Sequence, residues 1–294
     1  MKNSPSTYRV GAATITRVEE TAFALAPEVL FPEWGEGAGS DLKAHLSTAS
    51  LDLRNRQVAL HTHLWVVEVG DLKIVVDTGI GNGKARPFGK LFDQLDNPVP
   101  QRFEAAGFRR EQIDYVLLTH LHVDHVGWNT YWESGRWTPF FPNATYVFPQ
   151  RERKYFATPQ GEARRMVYDD SVAPIIEAQQ ARMVPDGVLQ FAEGIRFFPT
   201  PGHSAGHIAI EITSEGQTAL FSGDVMHSPV QVYRPEWSSM FCLDQRQARA
   251  SRKWLLDHAA RTVATVFPAH FPETSAGRIH ETGSGYAWRY VESE

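Results

Sequence analysis

The sequence is poor in cysteine, in long apolar runs and in excess positive charge. Of its 294 residues only Cys242 is a cysteine, which excludes an internal disulfide. No stretch approaches the roughly 20 apolar residues that a membrane-spanning helix needs. The formal net charge of −5 gives no electrostatic footprint for nucleic acid or an anionic membrane. The first ten residues lack the apolar core of a secretory signal, so we expect a cytoplasmic protein. The partner that we expect is a small-molecule substrate.

What the chain does contain is the composition of an ordinary globular protein, 42% hydrophobic and 21% charged. Apolar segments follow the order strands, then helices, twice over, which predicts an α/β chain of two similar halves in one domain over residues 1–294. Strands are predicted at 8–18, 61–69, 72–76, 115–118, 145–148, 188–191, 195–198, 207–213, 218–221 and 262–267. Helices are predicted at 98–107, 149–157, 161–181 (interrupted at Pro174) and 244–260.

The strongest signal is the run from His120 to His125, which follows the apolar strand 115–118. Three imidazoles and the carboxylate of Asp124 fall within these six positions. Imidazole nitrogen and carboxylate oxygen are the ligands that zinc prefers, and the carboxyl end of a strand is where α/β proteins place their ligands. The density of such groups favours a metal site over a polar loop that merely ends a strand.

Three further residues of the same chemical type, His203, Asp224 and His270, each follow a predicted strand. With the first run they make five histidines and two aspartates, enough for two zinc ions that share one carboxylate. Asp77, which closes strand 72–76, either orients a ligating histidine or makes a turn hydrogen bond. His61 and His63 are predicted to be strand residues with a polar face, because no third ligand follows them nearby.

Four motifs occur in a familiar order: HxHxDH at 120–125, GHSAGH at 202–207, SGD at 222–224 and PAH at 268–270. In that order they resemble the metallo-β-lactamase-fold hydrolases, over roughly residues 60–275. The resemblance implies an α/β (α+β) fold, the αββα sandwich of two mixed sheets flanked by helices. It also implies a dinuclear metal site at one edge of the two sheets.

Carried over position by position, the resemblance assigns three ligands to each metal and one bridging residue. The first metal takes His120, His122 and His203; the second takes Asp124, His125 and His270; and Asp224 bridges them. His207 supports the fold near the site. We expect two Zn²⁺ per subunit, with Fe, Mn or Co as substitutes. The flavodiiron enzymes of this fold carry glutamate in place of His122, so zinc hydrolysis is favoured.

The chemistry that the resemblance implies is attack by a hydroxide held between the two ions, with Asp124 taking the proton released afterwards. Within the family, the segment 222–227 looks most like the N-acyl homoserine lactonase and methyl parathion hydrolase group. In the lactonases a tyrosine three residues after the bridging aspartate binds the substrate carbonyl. Here His227 occupies that position; it either donates to the same oxygen as a catalytic residue or only lines the rim of the pocket.

We therefore expect a metal-dependent hydrolase of the EC 3.1 type, a lactonase or esterase acting on a fairly apolar small molecule. Quorum quenching would be its biological setting, and phosphotriester cleavage a side activity. One alternative is hydrolytic dehalogenation or demethylation of an aromatic xenobiotic on the same metals. The alternative from another class is a metal-binding scaffold without turnover.

Residues 20–60 are rich in glycine, proline and aromatic residues, a pattern typical of a lid or binding loop. Its aromatic side chains Phe23, Phe31 and Trp34, together with Trp128, are predicted to line an apolar substrate pocket. Packing in the core is the equally weighted alternative. The same segment would line the partner's pocket in a homodimer, an expectation that comes from the resemblance alone.

Overall fold

The computed structural model describes residues 6–294, which divide into two compact units. The first contains the described residues up to Thr21, then Thr62–Asp186 and Glu294. The second contains Ala22–His61 and Gly187–Ser293. No helix in the described part of the chain is long and apolar enough to cross a membrane.

The strands are β1 (Ser6–Val10), β2 (Ala13–Leu25), β3 (Leu51–Asp52), β4 (Gln57–Val69), β5 (Leu72–Val76), β6 (Tyr115–Leu117), β7 (Thr130–Glu133), β8 (Arg136–Pro139), β9 (Thr145–Pro149), β10 (Ala181–Val184), β11 (Leu189–Ala192), β12 (Ile195–Pro199), β13 (Ile208–Ser214), β14 (Gln217–Gly223), β15 (Thr265–Pro268), β16 (Gly277–Thr282) and β17 (Gly285–Tyr290). The α-helices are α1 (Pro27–Leu30), α2 (Val99–Ala105), α3 (Gln150–Tyr155), α4 (Pro159–Glu162), α5 (Arg165–Ser171), α6 (Ala173–Glu177), α7 (Val230–Tyr233) and α8 (Gln245–Thr262). Short 3₁₀ turns occupy Leu42–Ala44, Arg110–Gln112 and Gly127–Asn129.

The first large sheet has the strand order β1-β2-β4-β5-β6-β9-β10, with β3 added beside β4. The pairs β5–β6, β6–β9 and β9–β10 are parallel, whereas β4–β5 is an antiparallel hairpin with Val69 opposite Leu72. The apolar strand residues Val116 and Tyr146 pack with Phe103 of α2 in one buried cluster. Burial of this cluster fixes the register, because a slip by one residue would turn every apolar side chain to the other face.

The second large sheet has the order β11-β12-β13-β14-β15-β16-β17, antiparallel except for the parallel pair β14–β15. Helix α8 begins at the Asp244 N-cap, whose carboxylate accepts from the backbone N–H of Gln247 at 3.0 Å. The apolar face of α8 packs Leu255 and Leu256 into a cluster that includes Val266 of β15. The predicted fold class, α/β with two mixed sheets and flanking helices, is confirmed.

Two predictions about elements are wrong. The single strand at 8–18 is a hairpin, because Gly11 adopts a left-handed φ of 61° and turns β1 back onto β2. The long helix at 161–181 is three short helices followed by the parallel strand β10. Two further hairpins were not predicted: β7–β8 at residues 130–139 and β16–β17 at residues 277–290, where period-2 alternation is only a weak signal.

The segment 20–60 contains more regular structure than a loop, with the end of β2, α1, a 3₁₀ turn and β3. Phe31 is completely buried, and Trp34 packs edge-on against Trp237 with ring centroids 5.5 Å apart. Phe23 is half-buried and packs against the buried cluster that contains Phe31 and Trp237. These contacts favour the core alternative for the three aromatic residues. Their role in a substrate pocket, and that of the segment in a lid or a dimer, stays a prediction.

Candidate metal centre

In the first unit, four of the predicted ligands gather where β6 ends. The ring of His120 lies with its centroid 4.6 Å from that of His122 and 4.0 Å from that of His125. His125 Nε2 lies 3.8 Å from Asp124 Oδ1. His120 and His125 are fully buried, while His122 and Asp124 are half-buried. The sequence run therefore becomes one cluster of three imidazoles and a carboxylate.

Asp77 orients this cluster. Its Oδ2 lies 2.8 Å from His125 Nδ1 and accepts from the hydroxyl of Thr119 at 2.8 Å, and its Oδ1 accepts from the Thr119 N–H at 2.8 Å. His120 Nδ1 lies 3.0 Å from the same Thr119 hydroxyl. A histidine whose Nδ1 is held in this way presents Nε2 to a metal. Of the two contacts that the sequence left open for Asp77, the structure shows the one with a histidine, the predicted ligand His125.

In the second unit, three imidazoles surround the carboxylate of Asp224, which directly follows β14. His203 Nε2 lies 3.1 Å and His227 Nε2 3.3 Å from its Oδ2, and His270 Nε2 lies 3.0 Å from its Oδ1. All four side chains are almost completely buried. Tetrahedral zinc, with bonds of about 2.0–2.1 Å, holds its ligand atoms about 3.3 Å apart. The donor types and their separations therefore fit a metal ion.

Backbone groups hold two of these residues in place. His270 Nδ1 lies 2.9 Å from the carbonyl oxygen of His61, and the N–H of His61 donates to the carbonyl of His270 at 3.0 Å. His207 Nε2 accepts from the Asp224 N–H at 3.0 Å, which is the supporting role expected for it. His61 and His63 both lie in β4, so the prediction that they are strand residues is confirmed.

His227 lies inside this cluster, whereas the sequence predicts for it only a catalytic position or one at the rim of the pocket. With His203 and Asp224 it forms a group whose possible ligand atoms lie within 4.8 Å of one another. Gln231 accepts from its backbone N–H at 2.7 Å, and the Ser239 hydroxyl lies 3.3 Å from its Nε2. Its Nδ1 is buried and has no hydrogen-bond partner among residues 6–294. The i, i+3 spacing from Asp224 was the signal that could have placed it.

The first unit also buries the charged side chain of Glu20. Glu20 accepts from the indole N–H of Trp128 at 2.8 Å and from the N–H of Ile80 at 2.7 Å, and its burial raises the pKa of its carboxyl. The indole N–H of Trp128 is thus hydrogen-bonded to a buried carboxylate of the protein. A contact between Trp128 and substrate stays a prediction.

A second buried group joins two cations to one carboxylate. Arg86 forms a two-pronged ion pair with Asp170 at 2.6 and 2.9 Å, and Lys84 Nζ lies 3.5 Å from the same carboxylate. Lys84 also donates to the Thr130 hydroxyl at 2.8 Å and lies 3.8 Å from the ring centroid of Trp137. Burial lowers the pKa of Lys84 from 10.5 to about 7, with Arg86 adding to the effect and Asp170 opposing it.

The family model that this sequence matches describes the metallo-beta-lactamase superfamily, and two curated relatives are a metallo-hydrolase and a lactonase by name. The family model described as the metallo-beta-lactamase superfamily matches residues 58–270. The "Probable metallo-hydrolase Rv2300c" of Mycobacterium tuberculosis is 22% identical over 222 residues, which cover 65% of each chain. The N-acyl homoserine lactonase AttM of Agrobacterium fabrum is 30% identical over 115 residues, 38% of this chain and 40% of that one. The chain thus spans less than two thirds of the length of these two curated relatives.

Two solved structures share the fold over nearly the whole chain. The hydrolase AbOPH of the beta-lactamase superfamily superposes with a TM-score of 0.80 at 24% identity, covering 100% of this chain and 99% of that one. AidC, described as a dizinc quorum-quenching lactonase, superposes with a TM-score of 0.78 at 19% identity, covering 99% of this chain and 98% of its own.

Proposed function

This chain belongs to the metallo-beta-lactamase superfamily, and we propose that it is a dinuclear-zinc hydrolase that opens a lactone or cleaves an ester of a fairly apolar small molecule. The observation that carries the proposal is the buried carboxylate of Asp224 within 3.0–3.3 Å of three imidazole nitrogens. A buried carboxylate that meets three imidazoles is a costly arrangement without a cation to share. The names of AttM and AidC support a lactone as the first substrate class to test.

The proposed ligand set joins the two clusters on the order of the family's motifs. One metal would be held by His120, His122 and His203, the other by Asp124, His125 and His270, and Asp224 would bind both. The hydrogen bonds at Nδ1 of His120, His125 and His270 support this set, because each orients Nε2 for coordination. Zinc is proposed because histidine occupies position 122 and the donors are nitrogen and oxygen, a set that iron, manganese or cobalt also accepts.

When bound, the two ions would supply an activated water and an electrophile for the substrate's carbonyl oxygen. The protein's own groups then complete the reaction. Asp124, which is half-buried, takes the proton of the attacking water and returns it to the leaving alcohol oxygen as the acyl C–O bond breaks. His227, fixed through its backbone by Gln231, is proposed to face the carbonyl oxygen of the substrate. In a lactone the acid and the alcohol stay in one product.

The test is hydrolysis by the full chain loaded with two equivalents of zinc. The panel comprises acyl homoserine lactones, aryl esters and a phosphotriester, with product formation measured alongside the zinc content of the protein. Asp224→Asn keeps the shape of the side chain but removes its charge, so we expect both bound zinc and turnover to fall. His280→Ala, which alters an exposed histidine on β16, is the matched control and should keep both.

Two results would contradict the proposal. A protein that binds two zinc ions and hydrolyses no member of the panel is not a hydrolase of these classes. Release of chloride or methanol from activated arenes, measured with the same preparation, would instead favour dehalogenation or demethylation on the same metals.

A further inference from the structure

Three large apolar side chains stand close together in sequence on the surface of the second unit. Met240, Phe241 and Leu243 are 52%, 46% and 52% exposed. Scattered single apolar residues are normal on a surface, but a local group of large ones marks a place where a ligand or partner binds. They lie in the connection between α7 and α8, which follows the strand and loop that carry Asp224.

The backbone of this segment is fixed rather than loose. The N–H of Met240 donates to the carbonyl of Leu30 at 2.9 Å, and that of Leu243 donates to the carbonyl of His203 at 3.0 Å. The N–H of Phe241 donates to the hydroxyl of Ser239 at 3.2 Å. The backbone that carries the three apolar side chains is therefore held by hydrogen bonds, one of which joins it to the backbone carbonyl of the proposed metal ligand His203.

The same segment adjoins the imidazole of His227. The Ser239 hydroxyl lies 3.3 Å from His227 Nε2, and the ring of Phe241 lies with its centroid 6.1 Å from the His227 ring. Because His227 Nε2 is itself 3.3 Å from the Asp224 carboxylate, an apolar surface begins within one side chain of the polar cluster. A polar centre beside an apolar wall suits a substrate with a reactive polar group and an apolar tail.

We propose that Met240, Phe241 and Leu243 select substrates by binding the apolar acyl or aryl part of the ester or lactone. The substrate class rests on the proposed hydrolase function. Three half-exposed side chains of this size offer on the order of 300 Å². That area suffices for an alkyl chain, but it is well short of the about 800 Å² that each partner contributes to a stable protein interface. A small molecule is therefore the occupant that the surface fits.

The experiment measures kcat/KM of the zinc-loaded full chain for p-nitrophenyl acetate, butyrate and octanoate. We expect Phe241→Ala to lower the value for octanoate by about 10-fold, since burial of a phenyl group against the chain is lost. The value for acetate should change less than about 2-fold, because its methyl group is too short to cover the ring. Phe241→Leu should recover most of the kcat/KM for octanoate that Phe241→Ala loses. Leu243→Ala is a second variant that tests the same apolar surface. Val188→Ala removes an apolar side chain that is even more exposed, elsewhere in the second unit, and should change neither value.

A binding measurement separates this proposal from the proposed function. Calorimetric titration with octanoate and acetate needs no turnover, and Phe241→Ala should weaken octanoate binding by about 10-fold while leaving acetate unchanged. If the wild type hydrolyses no member of the lactone, ester and phosphotriester panel, but Phe241→Ala weakens octanoate binding alone, the proposed function is wrong and the apolar binding surface stands. Equal losses on all three esters, or no loss on octanoate, would overturn the proposal. A dimer that dissociates in Phe241→Ala with unchanged chain-length dependence would show that a second copy covers the surface.

Discussion

Replacing Asp77 by asparagine should weaken zinc binding by changing which nitrogen of His125 carries a proton. The wild-type carboxylate is acceptor-only, so the neutral His125 ring must place its proton on Nδ1, 2.8 Å from Oδ2. Nε2 is then the nitrogen with the lone pair. If the new amide keeps its oxygen toward the Thr119 N–H, its NH₂ group faces Nδ1. The ring then favours the other tautomer, with a proton on the nitrogen that should bind the metal.

The opposite orientation of the amide does not avoid a cost. With its oxygen toward His125, the NH₂ group meets the backbone N–H of Thr119, so two donors face each other in a buried place. An unsatisfied buried donor costs about 1–3 kcal/mol. Loss of the carboxylate that orients a ligating histidine typically costs 10- to 100-fold in metal affinity, or about 1.4–2.7 kcal/mol. Both orientations therefore predict a loss of about this size, as weaker zinc binding or as lower stability.

Competition with a chromophoric chelator measures the zinc affinity of the wild type and of Asp77→Asn, and urea unfolding of the metal-free proteins measures their stability. Asp71→Asn, at the exposed turn between β4 and β5, is the matched control and should change neither quantity. If Asp77→Asn binds zinc within twofold of the wild type and unfolds at the same urea concentration, the orienting role of Asp77 is refuted.

Two other predictions concern buried charge and bound metal. Unfolded Lys84 keeps its proton up to about pH 10.5, but folded Lys84 loses it above about pH 7, so stability should rise with pH across this interval. The rise in the free energy of unfolding should amount to several kcal/mol at most, and Lys84→Met should remove it. Equal pH dependence of urea unfolding in both proteins would contradict the lowered pKa of Lys84. Chelation of zinc should lower the free energy of unfolding by about 2.7 kcal/mol when free zinc had been 100 times its Kd, whereas a metal-free protein with an unchanged melting temperature would speak against a site in the folded state.

Most members of the two clusters of possible ligands could be picked out from the sequence, because they stand where apolar strands end. The strands before His120, Asp224 and His270 are short apolar runs, and each ends within a few residues of a ligand. In such a place a histidine or aspartate stands out from its neighbours in residue type. Density along the chain was the signal for residues 120–125, whereas His203, Asp224 and His270 are far apart and were recognised by residue type at the end of a strand.

The role of Asp77 could not be predicted with the same certainty, because it depends on strand pairing. Asp77 and Thr119 are 42 residues apart in the chain. They meet because β5 and β6 are parallel with Val76 opposite Leu117, so the residues that follow the two strands emerge side by side. The sequence contains both strands but does not state that they pair, or in which register. An aspartate at a strand end is also common in turns, so its type alone did not decide the matter.

The contact that His61 makes at this site could not be predicted from its residue type. It supports His270 through its backbone carbonyl, and that contact depends only on where the chain runs. Any amino acid at position 61 offers the same carbonyl oxygen, so selection for this contact leaves no characteristic residue behind. Asp77 acts through its carboxylate and must be an acidic residue to do so. The two positions perform the same physical task, the fixing of Nδ1 of a histidine, yet only one of them can be recognised in the sequence.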